Sequence, residues 1–306
     1  MIVRMPSHIA FVAAVLLGLA ACTGSAVRSP DVADEGSTRT AGDSSQPQST
    51  SHAVFWVGHS LTSFKMPYMV GEIARSLGLT YSWSAQIGIG ASLLSNWDNS
   101  SSTPQADSRQ VLPQGGYDVL VLTEAVPLMN QITWSDTNKY AGLFHDLIAD
   151  QPGAQTYLYE TWHCLDTGTP AGCDYDEDDD LAWRPRLDQD HSLWQGIVEA
   201  VNRDRPSPAM KLAPVGLAMA ALYDEIEAGN MPGLTSISDV FADDIHPNHT
   251  GFYFVALVHT AVLYGVDVRG ATHTFEDEYG NPFPGLPSKA LATAMQNTVW
   301  NVISAP

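Results

Sequence analysis

One serine and a distant aspartate–histidine pair could together perform nucleophilic chemistry. Ser60 follows the apolar run VFWV and the turn Gly58-His59. Asp243 and His246 lie three residues apart in the stretch FADDIHPNH. That spacing lets the carboxylate accept the imidazole Nδ1–H, which leaves Nε2 to face a nucleophile. The residue types therefore predict a nucleophile, its general base and the group that orients the base.

Each of these residues also has a purely structural explanation. A serine at the end of a buried strand can cap the next helix, as Ser60 would here. Asp243 or Asp244 can cap the helix that follows, with His246 left in solvent. His59 is interpreted as a turn residue that hydrogen-bonds to the structure rather than as a second base. The pairing of a serine with a distant D-x-x-H favours the catalytic hypothesis.

The elements that must position these residues alternate along the chain. Apolar or alternating runs predict strands at 54–57, 79–86, 119–122, 155–160 and 211–215. Amphipathic or apolar stretches predict helices at 67–77, 139–149, 193–202, 217–228 and 251–264. This alternation predicts an α/β fold with a mainly parallel sheet and helices on both faces.

Polar residues and glycine follow four of the predicted strands. Ser60, Gly90, Glu124 and Trp162 each come just after a strand. The carboxyl ends of parallel strands meet at one edge of the sheet, where ligands bind in such folds. We therefore expect the four residues to lie along one rim of the molecule.

Three short motifs in this order resemble the SGNH or GDSL hydrolase superfamily. GHSLT at 58–62 is similar to the first block, with histidine in the usual Asp or Asn position. GIGAS at 88–92 resembles the block whose glycine N–H helps hold the oxyanion, and DDIHP at 243–247 matches the last block. The resemblance covers residues 54–265. It implies a flavodoxin-like three-layer α/β/α sandwich.

The resemblance also implies roles for individual residues. Ser60 would attack an ester carbonyl while His246 takes its proton, and Asp243 would orient His246. The N–H groups of Ser60 and Gly90 would receive the negative oxygen. The reaction needs no cofactor and no metal.

The third block departs from the family pattern. The family usually has Gly-x-Asn-Asp after the third strand, whereas this chain has Thr123-Glu124 and no asparagine in register. Thr123 Oγ could replace the missing oxyanion donor. Glu124 could do so if protonated, or could bind a sugar hydroxyl. His59 and Trp162 are further candidates for contact with the substrate.

The first part of the chain predicts export. Residues 1–21 have a basic residue, a short apolar run and small residues before Cys22, which resembles a bacterial lipoprotein signal with Cys22 as the lipidated residue. An ordinary signal peptide that happens to contain a cysteine is the alternative. Residues 22–51 are rich in serine and threonine and predict a flexible tether. The hydrolase-type domain is then 52–306, held at the outer membrane or in the periplasm.

Charge and cysteines limit the partners. A net charge of −20 argues against a nucleic-acid partner. Cys164 and Cys173 predict a disulfide in an oxidising compartment, and a metal site with His163 is the sharper alternative. The acidic run DYDEDDD at 174–180 predicts a solvated loop, with calcium binding as the alternative.

The sequence thus favours a membrane-tethered serine esterase, with a carbohydrate O-acetylesterase as the first hypothesis. Four tryptophans could stack on sugar rings or could equally be core residues: Trp97, Trp134, Trp162 and Trp183. A lipase, arylesterase or thioesterase of the same superfamily is the enzymatic alternative. A glycan-binding protein on a degraded hydrolase fold is the non-enzymatic one.

Overall fold

The computed structural model of the protein describes residues 49–103, 105–176, 180–276 and 280–305. The predicted signal peptide at 1–21, Cys22 and the tether up to residue 48 lie outside the described residues. The first strand begins at Ser51, so regular structure starts within one residue of the predicted domain boundary at 52.

Strands and helices alternate along the described residues. The strands are β1 (Ser51–Gly58), β2 (Thr80–Ile87), β3 (Val119–Leu122), β4 (Gln155–Tyr159) and β5 (Lys211–Ala213). The helices are α1 (Lys65–Ser76), α2 (Leu93–Asp98), α3 (Ser108–Val111), α4 (Leu128–Trp134), α5 (Thr137–Asp146), α6 (Trp183–Asp204), α7 (Val215–Glu227), α8 (His249–Tyr264) and α9 (Lys289–Ile303).

The five strands form one parallel sheet in the order β2-β1-β3-β4-β5. This is the strand order of flavodoxin-like folds, and the predicted fold class is confirmed. The order reverses between β1 and β3, which makes the carboxyl ends of these two strands the expected place for a ligand. Ser60 follows β1 and Glu124 follows β3.

Two apolar cores, one on each face of the sheet, make the fold three-layered. The side chains of β3 alternate between them, with Val119 and Val121 in one core and Leu120 and Leu122 in the other. Helices α1, α7, α8 and α9 cover the first face. Helices α2 and α5 and the second half of α6 cover the opposite face.

Local sequence indicated some elements better than others. The predicted strand at 119–122 coincides with β3, whereas the predicted helix at 193–202 is part of the 22-residue α6. The sequence pattern did not predict helices α2, α3, α4 and α9. Among the described residues, no helix combines the length and apolar character needed to cross a membrane.

Candidate active site

Ser60, His246 and Asp243 form a continuous hydrogen-bonded chain. Ser60 Oγ lies 2.9 Å from His246 Nε2 and can donate its proton to that nitrogen. His246 Nδ1–H donates to Asp243, with Nδ1 at 2.8 Å from Oδ2 and 3.0 Å from Oδ1. The structure thus joins residues 186 positions apart in sequence in the arrangement of a nucleophile, a base and an orienting carboxylate.

The loop that carries His246 is fixed by backbone contacts. Ala242 N donates to His246 O at 2.7 Å, and Leu165 N donates to Asp244 O at 2.6 Å. Asn248 caps α8 by accepting from Gly251 N at 3.1 Å, so neither Asp243 nor Asp244 serves as the helix cap. The capping explanation of Asp243 is therefore wrong.

Asp243 remains charged although part of its surface is buried. Burial alone would raise its pKa, but hydrogen bonds from the His246 and Ile245 backbones and from the His246 side chain outweigh that effect and lower it. Ile245 N and His246 N both donate to Oδ1, at 3.0 and 2.7 Å. The charged carboxylate accepts the Nδ1–H of His246 and so fixes the orientation of the ring.

The turn before Ser60 requires its glycine. A Cβ on Gly58 would come within 2.3 Å of Thr62 Oγ1 and 2.9 Å of Thr123 Cγ2. The turn is closed by Thr62 N and Ser63 N, which both donate to His59 O. Helix α1 begins at Lys65 and takes no side-chain cap, which removes the capping explanation of Ser60.

His59 is buried and neutral. Its Nε2–H donates to Glu124 O at 3.0 Å, and its Nδ1 accepts from Leu61 N at 3.4 Å. Burial lowers the pKa of His59 to about 4; the bond to Glu124 raises it and nearby His246 lowers it. The interpretation of His59 as a structural turn residue agrees with these contacts. The prediction that His59 contacts the substrate does not agree with them, because both ring nitrogens already have partners.

Two backbone N–H groups are available for an oxyanion. Within the described residues, neither Ser60 N nor Gly90 N donates to an acceptor of the chain. Gly90 adopts φ +65°, in the left-handed region that favours glycine. Gly88 N donates to Gly58 O at 3.0 Å and so ties the Gly90 loop to the nucleophile turn. These features suit the oxyanion role predicted for Ser60 and Gly90.

Thr123 does not supply the third donor. Its side chain is buried, and Oγ1 donates to Tyr159 O at 2.9 Å on the neighbouring strand. The prediction that Thr123 Oγ replaces the family asparagine is therefore wrong, because the hydroxyl proton is already used inside the sheet.

Glu124 is also placed differently from its prediction. Its side chain is fully buried, and Oε1 accepts from Leu93 N at 2.9 Å and Ala125 N at 2.8 Å. Oε2 accepts from Thr137 Oγ1 at 2.9 Å. Both oxygens are engaged, so Glu124 binds no sugar hydroxyl here. It instead joins the first residues of α2 and α5 to the end of β3.

Burial has a large effect on the acidity of Glu124. Desolvation raises its pKa to about 7, although the hydrogen bonds from Leu93, Ala125 and Thr137 lower it. The sequence could not identify this network, because Leu93 and Thr137 lie 31 and 13 residues away from Glu124. The only sequence signal was the position of Glu124 at the end of a buried strand.

Trp162 stabilises the loop that carries His246 instead of contacting the substrate. Its ring is buried, and its Nε1–H donates to Ile245 O at 2.8 Å, inside the loop that carries His246. Of the other tryptophans, Trp183 is also buried and Trp97 packs edge-on against Phe144. Trp134 is 80% exposed. The predicted substrate contact at Trp162 is wrong, since its polar edge faces the protein.

Cys164 and Cys173 form a disulfide with a Cα–Cα distance of 6.0 Å. His163 lies beside both sulfur atoms, as a metal site would require. Sulfurs bonded to each other cannot bind a metal as thiolates, which argues against the metal alternative. Burial and the nearby Arg186 lower the pKa of His163 to about 4, although Asp176 and the hydrogen bond with Cys164 N act in the opposite direction.

The acidic run after the disulfide is not uniformly solvated. The side chain of Asp176 is buried and pairs with Arg186, whose Nη1 lies 3.2 Å from Oδ2. Arg186 also pairs with Asp190 at 3.1 Å. The prediction of a solvated loop therefore fails at Asp176, because a buried arginine neutralises it. Residues 177–179 of this run lie outside the described residues.

Comparisons with known proteins identify the fold. No family model and no curated protein matches the sequence. A DUF4886 family protein from Bacteroides uniformis is similar in structure, with 16% identity, a TM-score of 0.55 and coverage of 84% of this chain and 96% of that one. TesA is similar at 12% identity with a TM-score of 0.38, and the alignment covers 68% of this chain and 97% of TesA. A gut microbial diltiazem-metabolizing enzyme is similar at 10% identity with a TM-score of 0.41, and the alignment covers 71% of this chain and 47% of that enzyme.

These likenesses bear on architecture alone. The first supports the α/β fold over most of the chain, whereas the other two align too loosely to indicate more. The chemistry must therefore be inferred from the site itself.

Proposed function

We propose that the protein is a serine hydrolase that cleaves carboxylic esters through an acyl-enzyme. The observation that carries the proposal is the chain of hydrogen bonds from Ser60 through His246 to Asp243. A serine that is hydrogen-bonded to an imidazole, which a carboxylate orients in turn, is the arrangement of an activated nucleophile. The position at the carboxyl ends of β1 and β3, where the strand order reverses, supports the same conclusion.

The geometry supports a two-step reaction. Ser60 Oγ attacks the ester carbonyl carbon as His246 Nε2 takes its proton, and Asp243 stabilises the resulting imidazolium. The N–H groups of Ser60 and Gly90 hold the negative carbonyl oxygen. His246 then gives its proton to the departing alcohol. Water, activated in turn by His246, attacks the acyl-enzyme and releases the acid.

Hydrolysis of 4-nitrophenyl acetate tests this function. The wild-type protein should release 4-nitrophenol, and Ser60→Ala should lose this activity. The Ser60→Ala variant should unfold at the same midpoint as wild type, which would show that the lost activity is a catalytic and not a structural effect. If wild type and Ser60→Ala release 4-nitrophenol equally slowly, the esterase proposal fails.

For the substrate, we propose an O-acetyl group on a carbohydrate. The site is open, since the side chains of His246 and Asp243 are 40% and 51% exposed. An open site suits a small acyl group on a large alcohol better than a long acyl chain, which needs an enclosed apolar channel. Trp134 and Tyr175, 80% and 86% exposed, follow β3 and β4 and offer flat surfaces for sugar rings.

A panel of esters tests the substrate class. Acetylated polysaccharides should release acetate, whereas 4-nitrophenyl palmitate and acyl thioesters should react poorly. Good turnover of long acyl esters without acetate release from any polysaccharide would instead favour the lipase, arylesterase or thioesterase alternative.

One observation favours a second function, that of a non-catalytic glycan-binding protein. Thr123 and Glu124, at the place of the family asparagine, are both engaged in structural hydrogen bonds. An oxyanion-hole donor contributes about 3–4 kcal/mol to transition-state stabilisation, so a site with fewer donors is a weaker catalyst. Binding of acetylated polysaccharide without acetate release, by a protein that also fails to hydrolyse 4-nitrophenyl acetate, would establish this alternative.

We also propose that the chain is exported and lipid-anchored at Cys22. The support is the signal-like pattern of residues 1–21 and the Cys164–Cys173 disulfide, which suits an oxidising compartment. Metabolic labelling with a palmitate analogue in a bacterial host should mark the wild type and not Cys22→Ser. Equal labelling of both would exclude Cys22 as the anchor.

A further inference from the structure

A small cleft opens beside the loop that carries Gly90. It has a volume of about 280 Å³, just below the usual range for small-molecule sites, and is therefore sized for a single ring. Its polar lining comes from Ser95, Asn96, Asn99, Ser102 and Thr103, and Ile89 forms part of its wall.

Two hydrogen bonds connect the cleft directly to the nucleophile turn. Gly88 N, in the cleft wall, donates to Gly58 O at 3.0 Å. Asn96 Nδ2 donates to the same oxygen at 3.1 Å. Gly58 lies two residues before Ser60, so the cleft adjoins the position at which the proposed reaction takes place.

The chemistry of the lining suits a neutral polyol. Hydroxyl and primary amide groups can both donate and accept, as sugar hydroxyls require. The hydroxyls of Ser95 and Ser102 make no hydrogen bond within the described part of the chain, so they are available to a ligand. Ile89 is largely exposed and offers an apolar surface to the C–H face of a ring.

Charge excludes an acidic sugar. No lining residue of this cleft is charged, whereas another cavity of the protein is lined by Glu72 and Glu276. The whole chain carries a net charge of −20, which repels polyanions. A neutral sugar meets neither a local nor a long-range penalty.

We propose that this cleft binds a neutral sugar ring next to the acetylated ring of the substrate. The inference rests on the proposed carbohydrate esterase function, because it assigns the alcohol side of that substrate to residues 88–103. It adds a binding site and its specificity, since neutral polysaccharides are selected over acidic ones.

Calorimetric titration of Ser60→Ala protein tests the cleft without requiring catalysis. The probes are xylotetraose, cellotetraose and mannotetraose as neutral oligosaccharides, and tetragalacturonic acid as the anionic one. At least one neutral probe should bind, and tetragalacturonic acid should not. Adding Ser102→Ala or Asn99→Ala should weaken neutral binding by about three- to tenfold, as expected for one lost hydrogen bond.

Ser101→Ala is the matched control, because Ser101 is exposed on the same segment but does not line the cleft. It should bind as tightly as the Ser60→Ala parent. The proposal is overturned if no neutral probe binds, if Ser102→Ala and Asn99→Ala both bind like the control, or if tetragalacturonic acid binds as tightly as the neutral probes. Separate hydrolysis of 4-nitrophenyl acetate by wild type shows whether the esterase function itself stands.

Discussion

Two carboxylates at the same edge of the sheet, Asp243 and Glu124, have opposite environments. Asp243 is half exposed, and although burial raises its pKa, the hydrogen bonds that it accepts from His246 and Ile245 outweigh that effect and lower it. Glu124 is fully buried, and desolvation raises its pKa to about 7. The exposed carboxylate stays charged and can act on His246, whereas the buried one organises backbone.

The difference shows how solvent decides the role of an acidic side chain. Asp243 accepts from the imidazole that faces Ser60, so its charge reaches the reacting atoms through a single ring. Glu124 is linked to the nucleophile turn by its backbone carbonyl oxygen, which accepts from His59 Nε2–H. Changes at Asp243 should therefore appear in the rate, and changes at Glu124 in stability.

The largest effect on the rate is expected from changing His246, which links Asp243 to Ser60. His246→Ala removes the base, and kcat/KM for 4-nitrophenyl acetate should fall by about 10⁴-fold or more. His249→Ala is a matched control, because His249 bonds to Pro284 O instead of Ser60. An unfolding midpoint like that of wild type, with the activity lost, is expected for His246→Ala. Retained activity in His246→Ala would contradict its role as the base.

Glu124→Ala should mainly affect stability. It leaves Leu93 N, Ala125 N and Thr137 Oγ1 without their acceptor and creates a cavity, which should lower the free energy of unfolding by about 3–5 kcal/mol. Glu124→Gln keeps an acceptor oxygen and should lose much less. Urea denaturation measures both variants. Equal losses in the two would show that the charge, and not the hydrogen bonds, is what matters.

The raised pKa of Glu124 also predicts how stability depends on pH. Between the unfolded value of 4.5 and the folded value of about 7, the folded protein binds more protons than the unfolded chain. The contribution of Glu124 to the free energy of unfolding should therefore fall as pH rises through this window, by about 3 kcal/mol in all.

Glu124→Gln has no such proton, so the difference in unfolding free energy between wild type and this variant isolates the effect. The difference should be constant below about pH 4, should move in favour of the variant as pH rises, and should level off above about pH 8. A difference that does not change with pH would mean that Glu124 titrates normally in spite of its burial.

A smaller effect is expected at Asp243. Asp243→Asn keeps an oxygen for Ile245 N and His246 N but removes the charge, and kcat/KM should fall by about 100-fold, or about 2.7 kcal/mol. The loss should be smaller than at His246, because solvent screens a half-exposed carboxylate. Asp244→Asn, next to it, is the control and should behave as wild type. If Asp243→Asn lowered kcat/KM as much as His246→Ala, solvent screening of the Asp243 charge would be contradicted.

The sequence predicted the parts of this arrangement that depend on local pattern. The run VLVL marks a strand buried on both faces, and β3 occupies those four residues. The D-x-x-H spacing predicted the bond between Asp243 and His246 because both residues lie in one short loop. The bond between Ser60 and His246 was implied by the resemblance of the two motifs to the first and last blocks of the SGNH hydrolases, and the structure shows it.

The roles of Thr123, Glu124 and Trp162 could not be predicted in the same way. Each is a residue type that also occurs in binding sites, and each makes its decisive hydrogen bond to a group distant in sequence. A carboxylate is a ligand or a structural acceptor according to which backbone N–H groups surround it. That information exists only after α2 and α5 have packed against β3.

Covalent labelling of Ser60 tests the central claim most directly. A fluorophosphonate reacts with a serine that a neighbouring base activates, so mass-spectrometric peptide mapping should find the adduct on Ser60. His246→Ala should abolish the labelling, and the conservative change Glu124→Gln should leave the site of the adduct unchanged. An unlabelled wild-type protein, or an adduct on a different residue, would contradict the account.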